Sequence, residues 1–485
     1  MINWKQDATL LAKILIILAL FMGIPTCLAL YYGETTALHG FLVTYGAVFL
    51  FSAAIFLITR NNTNTHLNAR DGYLFVSSTW IIATAFSAIP LVVSGSYVDY
   101  SSAYFEIMSG FTTTGATVLP EIESLPKSIL FWRSETNWLG GMGIVVLFVA
   151  LLPALGVSGT MLVGAESVGP TKDKLTPKIK TTASILWTIY VLFSLLETIL
   201  LKFGGLSLYE AVTVTFSTMA AAGFCVKNAS IGTFQSAYVD IVVTVFMMIA
   251  GANFALYYKA ISGHLRSVWK DGELRAYLGI WGIISIISAI SLSYNGTYDG
   301  FWQSLRFSAF QNASIITTTG FATANYINWP SLPQMLLFLL VFVGGCAGSA
   351  GGGIKVIRVV TLMKMAFVNI KQRIHPNGIF HVRVGQNSVK NEILLSISTF
   401  FGVYIATGLI GAVLISFSGA DILTCFSSSF LCLGNIGIGF SEVGPTGNFA
   451  FYPSWIKWVC SFLMLAGRLE LFTVYSLFSK VFWKR

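Results

Sequence analysis

Four short tracts that end in glycine recur along the chain, and their residue types suit the coordination of a cation. Glycine has no Cβ, so the backbone can turn successive carbonyl groups toward one axis, and threonine hydroxyls add further oxygen atoms. Four such tracts around one axis could replace the hydration shell of a cation crossing a membrane. The residues predicted to supply these oxygens are Thr113, Thr114 and Gly115; Ala221, Ala222 and Gly223; Thr318, Thr319 and Gly320; and Asn435, Ile436 and Gly437.

The four tracts occupy the same place in four similar stretches of sequence. Their final glycines are 108, 97 and 117 residues apart. A serine precedes the glycine by six residues in the first three stretches, and Leu431 takes that place in the fourth. One tract would carry little weight, because threonine and glycine are common in turns. Four tracts in register predict one recurring structural unit.

A short apolar run leads into each tract, and an acidic residue stands at or near the start of each run. These runs are too short to cross a bilayer and return, which favours a half-helix that enters the membrane and ends at the tract. The C-terminal end of such a helix carries a partial negative charge that favours a cation. The runs lie near 99–116, 207–223, 299–320 and 420–437, and their acids are Asp99, Glu210, Asp299 and Asp421.

The composition of the whole chain is that of a membrane protein. Of its 485 residues, 55% are hydrophobic and 10% are charged, which leaves too few polar residues to cover a water-soluble protein of this size. A helix needs about 20 apolar residues to cross a bilayer. Ten runs are long enough, at roughly 8–32, 39–59, 72–95, 134–156, 181–203, 236–258, 276–294, 332–354, 392–417 and 454–479.

The charges predict the orientation of these ten spans. With the N-terminus inside, the cytoplasmic segments hold 21 basic residues and the external segments hold six, which is the positive-inside pattern. Both termini are then cytoplasmic. The external segments also hold eleven acidic residues, so we expect an acidic outer mouth that attracts cations. The net charge of +9 thus reflects membrane orientation, and no nucleic-acid partner is expected.

The predicted fold is an all-α polytopic membrane protein with two leading helices and four membrane–pore–membrane repeats. Each repeat starts and finishes on the same side of the bilayer, so the four are parallel and can surround one pseudo-fourfold pore. The predicted boundaries are 1–70 for the leading helices, 71–170 and 171–270 for the first two repeats, 271–385 for the third repeat with its broken last helix, and 386–485 for the fourth.

The broken helix of the third repeat is predicted from its glycine content. Residues 344–353 include six glycines, and each costs a helix up to about 1 kcal/mol relative to alanine. We expect an unwound, movable segment beneath the third tract; close helix packing through small residues is the alternative. Arg468 lies near the centre of the last span and is expected to face a cavity or an acidic partner, either Glu197 or Glu470 of a neighbouring chain.

At the four tracts and the glycine-rich segment, the sequence resembles the TrkH family over its whole length. Members of this family are membrane subunits of Trk potassium uptake systems, within the Trk/Ktr/HKT superfamily. The resemblance implies a potassium filter with glycine at all four positions, although Asn435 and Ile436 depart from the family's threonine-rich pattern. It also implies a pore-obstructing gate formed by Gly345, Cys346, Ala347, Gly348, Ser349, Ala350, Gly351, Gly352, Gly353 and Arg468.

The resemblance further implies a location and partners. These are the bacterial inner membrane, a homodimer, and a Trk-type cytosolic regulatory subunit with nucleotide-binding domains, for which the basic loops 157–180 and 355–390 are the expected docking surfaces. The chain itself has no nucleotide-binding motif of the GxxxxGK type. Potassium is then the transported substrate, no cofactor is bound by this chain, and the protein is not an enzyme.

Two other functional classes make different predictions. A membrane enzyme would gather acids or histidines at one interface, but the five histidines are scattered and form no HExxH motif. A symporter that couples potassium to protons or sodium would need carboxylates within the membrane, for which Glu197 and Glu470 are the candidates. Inverted halves are common in such carriers, whereas the four repeats here are parallel.

Overall fold

The structure, a computed structural model, describes residues 2–62, 67–143, 179–384 and 387–484. These residues are predominantly helical, as long apolar runs without turn residues favour. Within them, strand is confined to one antiparallel hairpin, in which β1 (Arg383–Val384) pairs with β2 (Asn387–Ser388). The predicted all-α class is confirmed.

The leading part of the chain forms three helices that pack together. The first two are nearly continuous and separate at Met22, because Pro25 cannot donate the backbone hydrogen bond that the next turn of helix would need. Large apolar side chains such as Leu42, Phe49 and Leu50 are exposed on the third helix, as expected for a lipid-facing surface. The helices are α1 (Trp4–Phe21), α2 (Gly23–Tyr32) and α3 (Thr35–Thr59).

Four similar units follow, each with a long helix, a short buried helix, a loop and a further helix. The first has α4 (Ala69–Ser87), α5 (Ile89–Val93), α6 (Tyr100–Phe111) and α7 (Lys127–Gly141). The second has α8 (Ile179–Phe203), α9 (Leu208–Met219), α10 (Ala237–Ala250), α11 (Phe254–Ile261) and α12 (Leu265–Trp269). The third has α13 (Gly272–Tyr294), α14 (Phe301–Ile316), α15 (Ser331–Leu340) and α16 (Val356–Ile374). The fourth has α17 (Asn391–Ser416), α18 (Ile422–Gly434), α19 (Ser454–Arg468), α20 (Phe472–Phe478) and α21 (Lys480–Trp483).

Two sets of helices position the predicted filter. The short helices α6, α9, α14 and α18, here called the re-entrant helices, coincide with the four short runs predicted from the sequence. The helices that follow each loop, α7, α10, α15 and α19, are here called the return helices. Short 3₁₀ turns shape three of the loops, at Ser230–Phe234, Tyr326–Asn328 and Ser441–Val443.

The return helices correct the prediction of continuous spans. Six of the ten predicted spans are helices long and apolar enough to cross a membrane, within the described residues. The other four begin with the return helices. α10 meets α11 at 94° and α19 meets α20 at 117°, whereas only the third repeat was expected to break. The continuation of α7 lies outside the described residues.

A glycine lies at or just before each of these two breaks. α10 stops at Gly251, where an added Cβ would lie 2.8 Å from the side chain of Thr317 in the third tract. A Cβ on Gly467 would overlap the carbonyl oxygen of Leu433 at the end of α18. The return helices thus reach directly beneath the ends of the re-entrant helices. Only glycine permits so close an approach, and it also weakens the helix at that point.

The acids near the starts of the re-entrant helices act as helix caps in three of the four repeats. Asp99 caps α6, Asp421 caps α18, and Glu210 forms a capping box with Ser207 at α9. Hydrogen bonds from the hydroxyl and amide of Thr424 hold the pKa of Asp421 below its ordinary value, so it remains a charged cap. In the third repeat Gly300 takes the capping position and Asp299 lies one residue outside the helix.

Candidate functional site

The four tract glycines form a closed ring in chain order. A Cβ added to Gly115 would lie 2.6 Å from the Cα of Gly223, and one on Gly223 would lie 2.8 Å from the carbonyl oxygen of Gly320. A Cβ on Gly320 would lie 2.8 Å from the amide nitrogen of Gly437, and one on Gly437 would lie 2.8 Å from the carbonyl oxygen of Gly115. Each loop therefore packs backbone to backbone against the next, and no side chain fits between them.

The backbone has the same unusual conformation in all four tracts. The residue two positions before each glycine is left-handed, a region that non-glycine residues rarely adopt. This shared turn directs the chain away from the re-entrant helix and along the ring. The four residues are Thr113, Ala221, Thr318 and Asn435, with φ values of 56°, 54°, 63° and 54°.

One hydrogen bond fixes this turn in every repeat. The amide of the residue just before each tract glycine donates to the carbonyl oxygen of the residue six positions before that glycine. These bonds are Thr114 to Ser109 (2.8 Å), Ala222 to Ser217 (2.9 Å), Thr319 to Ser314 (2.8 Å) and Ile436 to Leu431 (2.9 Å). Because the acceptor is a backbone carbonyl, the leucine of the fourth repeat serves as well as the serines of the others.

Asn435 joins the fourth tract to the first. Its side-chain amide donates to the hydroxyl of Thr114 at 3.2 Å and to the carbonyl oxygen of Met464 at 2.9 Å. Asparagine also tolerates the left-handed conformation better than most residues. The departure from the threonine-rich pattern is therefore accommodated by the ring.

The threonine hydroxyls are partly engaged within the tracts. The hydroxyl of Thr114 shares one hydrogen bond with that of Thr112 at 2.8 Å, and the hydroxyl of Thr319 shares one with that of Thr317 at 2.7 Å. The backbone carbonyl groups are therefore better placed than these two hydroxyls to serve as cation ligands.

A cavity opens on one side of the ring, which is the predicted outer side, and is lined by all four tract glycines. We expected an acidic outer mouth, but the charged side chains lining this cavity are Arg133 and Lys227 among the described residues. Each has a carboxylate partner: Arg133 pairs with Glu106 at 2.6 Å, and Lys227 with Glu123 at 3.4 Å. Both charged side chains that line the cavity are therefore paired, and the acidic outer mouth stays a prediction.

The glycine-rich segment 344–353 is unwound, as predicted, and lies against the other side of the ring. The amide of Gly352 donates to the hydroxyl of Thr318 at 2.7 Å. A Cβ on Gly352 would lie 2.7 Å from the carbonyl oxygen of Gly434, at the end of the fourth re-entrant helix. The segment therefore underlies the third and fourth tracts. It is not simply a packed helix, because α15 ends at Leu340 and α16 begins at Val356.

The segment is anchored to the second repeat as well. The amide of Cys346 donates to the carbonyl oxygen of Gly251 at 2.8 Å, and that of Ala350 to Ala250 at 3.2 Å. These acceptors are freed by the break between α10 and α11. A broken helix in one repeat thus satisfies the backbone of the unwound segment in the next.

Arg468 connects this segment to the first repeat. Its Nη1 donates to the carbonyl oxygen of Ala350 at 2.8 Å, and its Nη2 donates to those of Gly140 at 2.7 Å and Gly141 at 3.2 Å. Glu470, an expected partner from a neighbouring chain, instead pairs with Arg358 of the same chain at 2.7 Å. The arginine therefore bridges three repeats beneath the ring.

Two charged residues at this site were missed from the sequence. Lys355 is only 1% exposed and donates to the carbonyl oxygens of Gly351 at 2.5 Å and Cys346 at 3.4 Å. Glu273 accepts hydrogen bonds from the amides of Ala347 at 2.7 Å and Ile357 at 3.2 Å. We counted both as ordinary cytoplasmic charges. The signal for Lys355 was its position two residues after the last glycine of the run, with only Ile354 between them.

Comparison with known proteins places this geometry among cation transporters. The family model TrkH, described as a cation transport protein, matches residues 39–283 and 302–484. The chain is 36% identical to the Trk system potassium uptake protein TrkH of Salmonella typhimurium, over 99% of this chain and 100% of that protein. It is 35% identical to the Escherichia coli protein of the same name, with the same coverage. The crystal structure of the potassium transporter TrkH from Vibrio parahaemolyticus matches with a TM-score of 0.88 and 31% identity, over all of both chains.

Proposed function

The chain belongs to the TrkH family of cation transport proteins, and we propose on this basis that it takes up potassium through the ring of four glycine tracts. The observation that carries the proposal is the ring itself. Four loops with the same left-handed turn and the same hydrogen bond bring Gly115, Gly223, Gly320 and Gly437 into sequential contact. A symmetric set of backbone carbonyl groups is the arrangement that can replace the hydration shell of potassium.

The segment 344–353 and Arg468 form the proposed gate. Support comes from their position beneath the ring, where the segment contacts the third and fourth tracts and Arg468 reaches the first repeat. A positive charge in the pathway raises the barrier to a potassium ion. Opening would require two hydrogen bonds to break. One joins Gly352 to Thr318, and the other joins Arg468 to Ala350.

The proposed organisation keeps the predicted boundaries. Residues 1–70 form the leading helices, and the four pore repeats comprise 71–170, 171–270, 271–385 and 386–485. The similar order of helices within each unit supports this division.

We place the protein in the bacterial inner membrane with both termini in the cytoplasm, as the distribution of basic residues suggests. A cytosolic regulatory subunit and a second copy of the chain are its proposed partners. Part of the first expected docking loop, residues 157–178, lies outside the described residues. The second is supported by α16, where an exposed apolar row suits a protein partner; its members are Met363, Phe367, Ile370 and Ile374.

Cation flux into liposomes tests the proposed function. Liposomes that contain the protein are loaded with potassium, so that the potassium gradient is directed outward. They should take up tracer rubidium, and external sodium should compete poorly. A variant with Gly115→Ser should lose this discrimination. Uptake that equals that of protein-free liposomes, measured with the regulatory subunit present, would rule the proposal out.

Coupled symport is separated from passive conduction by the same assay. Symport predicts that an imposed proton or sodium gradient drives rubidium accumulation when no potassium gradient or membrane potential is present. Passive conduction predicts no accumulation under those conditions. Glu197, a fully buried carboxyl group in α8, is the candidate coupling residue that motivates this experiment.

A further inference from the structure

One ion pair is buried directly behind the first tract. Glu106 lies on the re-entrant helix α6 and Arg133 on the return helix α7, and their side chains are 0% and 1% exposed. Arg133 donates to Glu106 Oε1 through Nη2 at 2.6 Å and through Nε at 2.9 Å. A buried pair is tolerated only when its remaining hydrogen-bonding capacity is satisfied, so the other contacts of the carboxylate matter.

Those contacts are to the chain that leaves the tract. The hydroxyl of Thr117 donates to Glu106 Oε1 at 2.8 Å, and the amide of Val118 donates to Glu106 Oε2 at 3.0 Å. Thr117 and Val118 follow Gly115 by two and three residues. The carbonyl oxygen of Thr117 also accepts a hydrogen bond at 2.8 Å from the amide of Phe449, which belongs to the fourth repeat. The carboxylate therefore fixes the outer end of the first tract where it meets the fourth repeat.

The guanidinium group reaches the second tract. Its central carbon lies 4.2 Å from the centre of the Phe224 ring, a cation–π distance. Phe224 directly follows Gly223. Arg133 also lines the outer cavity together with the four tract glycines. One ion pair thus touches the residues that flank two neighbouring glycines of the ring.

The equivalent positions in the other repeats explain why a charged pair is needed here. The residue nine positions before the glycine is Glu106, Val214, Gln311 and Ser428 in the four repeats. Gln311 donates to the carbonyl oxygen of Ala324 at 3.2 Å, and Ser428 shares a hydrogen bond with Tyr452 at 2.8 Å. Each side chain thus joins its re-entrant helix to the loop that follows the tract. Val214 has no polar side-chain group and cannot form such a hydrogen bond. Arg133 supplies the missing support to the second tract from the first repeat.

We propose that Glu106 and Arg133 are positioning residues for ion selectivity, which hold the first and second tract glycines at the spacing that favours potassium over sodium. This inference rests on the proposed potassium pathway. Neither side chain binds the ion in this proposal. The carboxylate bonds to Thr117, Val118 and Arg133, and the guanidinium group packs on Phe224. Selectivity among cations depends on the field of the carbonyl oxygens, which small displacements of the backbone alter.

The test compares Glu106→Gln with the matched variant Asp240→Asn. Asp240 on α10 pairs with Arg306 on α14 at 2.7 Å, and among the described residues no hydrogen bond or ion pair joins these side chains to a glycine tract. Rubidium and sodium uptake into liposomes are measured for each variant, together with thermal stability in detergent. Glu106→Gln should lower the rubidium-to-sodium ratio about tenfold, the change that about 1.4 kcal/mol of lost discrimination produces. Asp240→Asn should leave that ratio unchanged.

A second variant covers the case in which Glu106→Gln does not fold. Thr117→Val keeps both members of the ion pair and removes the hydroxyl that donates to Glu106 and accepts from Arg133 and from the amide of Leu119, so it should lower the ratio in the same direction by a smaller factor. The proposal is overturned if every folded variant of Glu106 and Thr117 keeps the wild-type ratio, whatever its stability. Wild-type protein without rubidium uptake would instead refute the potassium pathway itself.

Discussion

The guanidinium group of Arg468 donates a hydrogen bond to the carbonyl oxygen of Ala350 at 2.8 Å, although the two residues are 118 positions apart in the chain. This bond holds the unwound segment of the third repeat to the return helix of the fourth. The same guanidinium group bonds to Gly140 in the first repeat at 2.7 Å. A single side chain therefore ties three repeats together beneath the glycine ring, and the segment moves only if these bonds are broken.

Replacing Arg468 by glutamine should raise rubidium uptake into liposomes. The change removes a charge from the pathway and weakens the bond to Ala350, and a hydrogen bond to a charged group contributes about 1.5–3 kcal/mol. An increase of about tenfold is expected, since roughly 1.4 kcal/mol corresponds to a factor of ten. Arg266→Gln, at an exposed position of α12, is the matched control and should leave uptake unchanged. Lower uptake by folded Arg468→Gln protein would contradict the proposed gate.

Alanine in place of Gly115 should abolish selective uptake, because its Cβ would overlap the backbone at Gly223. Gly115 and Gly320 also have φ values of 77° and 80°, which alanine adopts at a cost of about 1–2 kcal/mol. Variants at these two positions should therefore lose more thermal stability than Gly223→Ala. A suitable control is Gly46→Ala, since Gly46 in α3 has open space around it. Normal selectivity in Gly115→Ala protein would argue against the ring as the filter.

The change Lys355→Met should loosen the glycine-rich segment and increase uptake. The ammonium group of Lys355 bonds to the carbonyl oxygens of Gly351 and Cys346, which close the segment on itself. Lys355→Arg keeps the charge and should have the smaller effect. Lys371→Met, on the exposed face of α16, serves as the control. If Lys355→Met reduces uptake while the protein keeps its thermal stability, the residue supports the open state instead.

Glutamine in place of Glu197 should leave rubidium uptake within about twofold of wild type, because passive conduction requires no carboxylate that changes protonation. The amide has nearly the same size as the carboxyl group, so the packing of α8 is preserved. Uptake is measured with and without an imposed proton gradient. If the gradient drives accumulation in wild type and fails to do so in Glu197→Gln protein, the pathway is coupled to protons.

Hydropathy, glycine content and internal repetition determined the class of the protein and the order of its elements from the sequence alone. The four re-entrant helices, the unwound segment and the positions of the tract glycines follow from patterns within a few tens of residues, where local conformational preference dominates. The break at Gly251 and the break that follows Arg468, one residue after Gly467, were missed. A single glycine does not end a helix unless tertiary packing demands a close approach at that point.

Only the tertiary structure decided which charged groups meet. Arg468 bonds to carbonyl groups of two other repeats, Glu470 pairs with Arg358, and Glu106 pairs with Arg133 behind the first tract. Likewise, Lys355 was read as a cytoplasmic charge and is buried beneath the ring. The partners lie 27 residues apart for Glu106 and Arg133, 112 for Arg358 and Glu470, and 118 for Arg468 and Ala350. The sequence around each residue does not indicate which of these distant segments the fold will bring together.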